Sequence, residues 1–200
     1  MHNTVPLAIF SILIGAVAYA LYIWRTVKGQ IRPHPFSWGL WAFVTGIAAA
    51  AQLTKGAGRG SWVTIFTAAV CFLIALISAW HGDRAFPPLD WVVLMIGVVA
   101  LVFLWYAKQP TYAAWCATIA DVVGYKFTIE KGWKDPLSED SISFALNSFK
   151  FIPALLALDS YSVATALYPA TIAVVNSYVA LMLIQRSRTC RVLGEARGNH

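Results

Sequence analysis

Apolar residues run along this chain in long blocks broken by short polar joints. Val5–Trp24, Pro35–Thr54, Ser61–Trp80, Trp91–Ala107 and Ser160–Gln185 contain no Asp, Glu, Lys or Arg. Pro110–Tyr125 and Ser141–Leu158 have the same texture with one charge each, Asp121 and Lys150. About 20 apolar residues in a helix cross the hydrocarbon core of a bilayer. Barrel strands need only about 9–11, and helices and closed barrels are the two ways to satisfy a backbone in lipid. The pattern therefore predicts an all-α integral membrane protein with seven transmembrane helices and no separate soluble domain. The first block is expected to stay as a helix and not to act as a signal peptide, because no Lys or Arg precedes it and its apolar run is long.

Composition agrees. Of 200 residues 59% are hydrophobic and 12% are charged, about half the charge of a soluble domain. The net charge of +6 does not point to nucleic acid once its distribution is considered. With the N-terminus outside, eleven of the 15 Lys and Arg fall in inside segments, from Arg25, Lys28 and Arg32 through Arg84 and Lys126, Lys131 and Lys134 to the C-terminal arginines. Lys55, Arg59 and Lys108 fall outside, and Lys150 lies within a span. The positive-inside bias predicts N-out, C-in, with some attraction to anionic lipid. The three cysteines, Cys71, Cys116 and Cys190, have no metal-ligand spacing, so no metal or cofactor is expected.

The chain also matches itself. At a shift of 103 residues Tyr22, Lys28, Gly29 and Pro33 meet Tyr125, Lys131, Gly132 and Pro136, four identities in 23 positions. At a shift of 106, Ser37-Trp38-Gly39-Leu40 meets Ser143-Phe144-Ala145-Leu146. Spans 1–3 pair with spans 5–7, and span 4 stands alone. An odd triplet reverses the chain, and a single linker helix restores its direction, so the two triplets would be parallel repeats, as in some transporters. The expected organisation is a first repeat over 1–84, a linker helix over 85–108, a second repeat over 109–187 and a basic cytoplasmic tail over 188–200.

This 3+1+3 order resembles the SWEET/PQ-loop superfamily and the related PnuC-like vitamin transporters. Glu130–Ser141 is similar to the superfamily's loop after its first repeat helix, and Trp38-Gly39-Leu40-Trp41 is similar to a WxxW element of PnuC-like proteins. The Pro-Gln dipeptide that names the group stands in neither half; Arg25-Thr26 and Thr128-Ile129 occupy its places. The resemblance implies a carrier for a small metabolite of the sugar, nucleoside or vitamin class. The short loops fit a bacterial inner membrane, and a homo-oligomer is possible.

The polar residues inside the spans are the candidate chemistry, because a charge at membrane depth is expensive and normally faces a bundle interior or a cavity. Ser143, Asn147 and Lys150 share a helical face by their spacing, as do Thr118, Asp121, Tyr125 and Thr128. Tyr168 and Asn176 line up on the last span. The matching places in the first half hold aromatic and small residues, so a cavity between the halves is expected to have a polar wall and an aromatic wall. The candidate substrate-binding residues are Trp38, Trp41, Asp121, Tyr125, Asn147, Lys150 and Asn176. Asp121 could couple transport to protons. Equally, Asp121 and Lys150 could be a structural ion pair, and the chain a structural, accessory or ligand-sensing membrane protein without transport. Pro153 and Pro169 are expected to break the ladders of spans 6 and 7. Gln52, Trp80, Trp91, Trp105 and Tyr106 read as interface anchors, His34, His81 and Asp83 as loop residues, and Gly56–Gly60 as a flexible loop. No HExxH, Ser-His pair or facing carboxylates at membrane depth suggest an enzyme.

Overall fold

The computed structural model describes residues 4–31, 33–81, 88–136 and 139–198. His2, Arg32, Asp83, Arg84, Leu137, Ser138 and His200, and with them the 84–85 boundary, lie outside the described residues. The described residues are helical and contain no strand: α1 (Val5–Val27), α2 (Pro35–Thr54), a 3-10 turn (Gly58–Ser61), α3 (Trp62–His81), α4 (Pro88–Trp105), α5 (Pro110–Lys134), α6 (Ser141–Phe149), α7 (Phe151–Leu156) and α8 (Val163–Gly198).

Five of these segments, α1, α2, the turn with α3, α4 and the first part of α8, are long and apolar enough to cross a membrane. Their outward faces are apolar. Leu13, Val17, Phe72, Met95, Val98 and Leu181 are exposed side chains, far beyond what a soluble surface tolerates as a continuous patch. The protein is therefore membrane-embedded. Trp80, Trp91, Trp105 and Tyr106 are exposed near helix ends, where amphipathic rings meet headgroups. Helix α5 is 25 residues long and carries five charged side chains, four of them in the stretch after Tyr125. It extends nine residues beyond the predicted Tyr125 end. Helix α8 likewise runs on through the basic segment read as a tail.

Helix neighbours form a ring. Helix α1 touches α3, α3 touches α2, α2 touches α5, α5 touches α8, and α8 touches the α6–α7 pair, which returns to α1. Helix α4 lies outside this ring, against α2 and α5.

The two prolines behave differently. Pro153 has no N–H to give to the carbonyl four residues back, and its ring crowds that carbonyl. The sixth segment accordingly splits into α6 and α7 at Lys150. Pro169 removes one bond from the ladder of α8, as expected from sequence, but the helix continues through it. The reason lies in a neighbour. Pro169 strips the carbonyl of Thr165 of its helical donor, and Gln52 Nε2 donates to that oxygen at 3.0 Å from α2. Gln52 is fully buried and is not an interface anchor.

Candidate functional site

The ring encloses a cavity of about 750 Å³, within the range of about 300–1,000 Å³ typical of small-molecule sites. All seven candidate residues line it: Trp38 and Trp41 from α2, Asp121 and Tyr125 from α5, Asn147 from α6, Lys150 at the α6–α7 break, and Asn176 from α8.

Lys150 is wholly buried. Gly15 on α1 makes room for its stem; a Cβ there would lie 3.2 Å from Lys150 Cδ. Its ammonium donates to Tyr19 OH and to Thr67 Oγ1, both at 2.9 Å. It also sits 4.3 Å from the centroid of the Tyr19 ring and 5.0 Å from that of Phe151, within cation–π reach. Among the described residues no carboxylate lies within 4.0 Å of it. Asp121, 4% exposed, accepts instead from Tyr168 OH, which is bonded to Thr45 Oγ1 at 2.8 Å. The direct Asp121–Lys150 ion pair left open by the sequence is thus not formed. Each charge is held by neutral hydroxyls from another helix.

The aromatic groups are stacked toward the other end of the cavity. Trp38 meets Trp41 edge-on at 5.1 Å, Trp41 meets Tyr125 at 5.6 Å, and Tyr22 meets Trp38 at 4.9 Å. Gly124 has no side chain because a Cβ would lie 2.7 Å from Trp41 Nε1. Tyr125 OH accepts from Asn176 Nδ2 at 2.9 Å. Asn147 Oδ1 is buried without a hydrogen-bond partner.

The two ends of the cavity differ. At one end its lining includes Lys126 and Glu130, both exposed, together with Lys131 and Glu139, bridged at 2.8 Å. Burial pushes the Glu139 carboxyl above the usual glutamate range against the pull of Lys131. His34 and Asp140 cap α2 and α6 here, each with a serine three residues on. Asp140 also pairs with Arg25 of α1 at 2.7 Å, and Ser37 donates to Asp90 of α4 at 2.6 Å. His34 is thus a partly buried capping residue just ahead of α2, and it lines the cavity. His81 is the exposed last residue of α3.

On the other side of the bundle the connecting segments pack together. The Gly56–Gly60 segment is not a flexible loop: Ala57, Gly60 and Ser61 are buried, and Asp159 N donates to Ala57 O at 3.1 Å. A Cβ on Gly58 would sit 1.8 Å from Asp159 Oδ2, and one on Gly60 would sit 2.6 Å from Leu158 Cδ2. Gly58 has φ +58°, which suits glycine.

The expected division into a polar and an aromatic wall needs correcting. Tyr19 and Thr67, on first-half helices, supply the hydroxyls that hold Lys150, and Thr45 on α2 bonds the Tyr168 hydroxyl that holds Asp121. The spacing could have flagged them, since Tyr19 lies one turn from Gly15 and Thr67 one turn from Thr64, but nothing along the chain pairs them with Lys150. Cys71 is buried in the lining, Cys116 is half-buried and Cys190 exposed, and all three are free thiols. Among the described residues no group of acidic, His or Cys side chains could hold a metal. Comparison with family models, with curated proteins and with solved structures returns no match for this chain.

Proposed function

We propose that this protein is a membrane carrier for a small polar or aromatic metabolite. Its seven spans would form a 3+1+3 arrangement of two parallel triple-helix bundles, with the N-terminus outside, in a bacterial inner membrane. The observation that carries this reading is one cavity at the junction of the two halves, with a buried cation and a buried carboxylate in its lining. The ring order supports the repeat. Exchanging α1 with α5, α2 with α6–α7 and α3 with α8 leaves every neighbour relation of the ring in place. The Tyr22–Trp38 and Tyr125–Phe144 ring pairs and the His34/Ser37 and Asp140/Ser143 caps fall on matching positions. The arrangement resembles that of the SWEET/PQ-loop group, whose sugar, nucleoside and vitamin substrates are the first classes to try.

In this reading the structure is one of two access states. The charged end is the inward mouth, and the Gly58–Asp159 contact is the closed outer gate. The two gate loops are repeat equivalents of each other, so rocking one bundle against the other would exchange which end is sealed. The test is uptake of a radiolabelled compound into proteoliposomes, after a thermal-shift panel of sugars, nucleosides, vitamins and amino acids has identified a stabilising one. Accumulation above protein-free liposomes supports a carrier. A ligand that stabilises the protein but never crosses points to a sensor.

A further inference from the structure

From the held-apart charges we infer that the ligand of this cavity is a small zwitterion with an aromatic body: an anionic group seated on Lys150 and a protonated amine on Asp121. The inference rests on the cavity being a ligand site, as proposed above, and narrows the substrate away from neutral sugars and nucleosides.

Two opposite charges buried in one cavity attract strongly at low dielectric. Here they are kept from meeting. Lys150 is pinned on the first-half side by Tyr19 and Thr67, and its stem is fixed against Gly15. Asp121 is pinned by the Tyr168–Thr45 pair. Both retain unused bonding capacity. An ammonium has three donors, and two are engaged. A carboxylate accepts at two oxygens, and only Oδ2 of Asp121 is engaged. Among the described residues neither group is neutralised by a close partner of opposite charge, although buried charges are normally paired. A ligand carrying one charge would answer one of them and leave the other facing an apolar ring or a neutral amide. A zwitterion answers both. Asn147 Oδ1, buried without a partner, adds a second acceptor for an N–H, and the Trp41–Tyr125 pair offers faces for a ring.

The experiment uses the full-length protein in detergent with four probes: L-tryptophan, tryptamine, indole-3-propionate and uridine. Tryptamine lacks the carboxylate and indole-3-propionate the amine. Calorimetric titration should give L-tryptophan at least ten times the affinity of either singly charged analogue, and no uridine binding. Lys150→Met should abolish the preference over tryptamine while keeping that over indole-3-propionate; Asp121→Asn should do the reverse. The wild-type series decides the matter even where a variant does not fold. Equal or tighter binding of uridine or of a singly charged analogue overturns the inference, and so does no binding by any probe. Selective L-tryptophan binding without uptake into proteoliposomes upholds the ligand class and removes the carrier reading.

Discussion

Replacing Gln52 with Leu should uncouple a repair that α2 performs on α8. Pro169 leaves the Thr165 carbonyl without its helical donor, and Gln52 Nε2 fills the gap at 3.0 Å in a fully buried setting. A buried acceptor stripped of its partner costs about 1–3 kcal/mol. Leu also removes Gln52 Oε1, which has no partner of its own, so the loss should fall toward the lower half of that range, about 1–2 kcal/mol. The sharper form is a double-mutant cycle with Pro169→Ala. Alanine restores an N–H to residue 169, and the Thr165 carbonyl then regains its own helical bond. In that background Gln52→Leu should be nearly free, within about 0.5 kcal/mol. The assay is reversible unfolding in mixed detergent micelles, followed by helical circular dichroism. An equal loss in both backgrounds would refute the reasoning, because the glutamine would then be supporting something other than the proline-orphaned carbonyl.

Lys150→Met should change stability by less than about 2 kcal/mol, since it removes charge-assisted bonds to hydroxyls and a buried cation's desolvation together. A loss of about 3–5 kcal/mol in the same micelle assay would instead mark a broken buried ion pair. Gly58→Ala should destabilise by at least about 1–2 kcal/mol from the left-handed backbone alone. The additional clash with Asp159 should be recovered in Gly58→Ala/Asp159→Gly, and thermal melts of Gly58→Ala, Asp159→Gly and the double variant separate the two contributions. Glu139 binds its proton more tightly folded than unfolded, so its stabilising contribution is present below the unfolded glutamate pKa of about 4.3. That contribution declines as pH rises through the folded value. Glu139→Gln should flatten the stability profile just above pH 4.3, and an unchanged slope there would contradict its burial.

Much of the fold is written in apolar run length. Pro35–Thr54 was legible to the residue, because His34 and Pro35 open α2 and the polar Thr54-Lys55 ends it. The ends of α5 and α8 were not, since charged residues past a membrane span look the same along the chain whether they form a loop or continue a helix into water. Side-chain depth was legible as well: a cation or carboxylate inside an apolar run has few places to go, and all seven candidate residues line one cavity. Partner choice was not. Complementary charge made Asp121 the obvious partner of Lys150, whereas ring packing delivered Tyr19 and Thr67 from helices far away in sequence. Gln52 was misread for a related reason. Its place near a helix end suggested water or headgroups, and only the packing of α2 on α8 shows that a proline there needed a donor.

The position of α4 makes the two seams of the ring unequal. It rests across the meeting of α2 with α5, while among the described residues no further helix covers the meeting of α1 with α6 and α7, which is tied by Arg25–Asp140, the Ser143 bond to Ala18 O and the Lys150 bond to Tyr19. Under the carrier hypothesis the molecule would swing as a door does, with the α4 side as its jamb and the α1–α6 side as its free edge. Spin labels across the free edge should then report a broad or ligand-sensitive distance distribution, and labels across the jamb a narrow, constant one. Equal behaviour at both would mean that the bundles separate evenly.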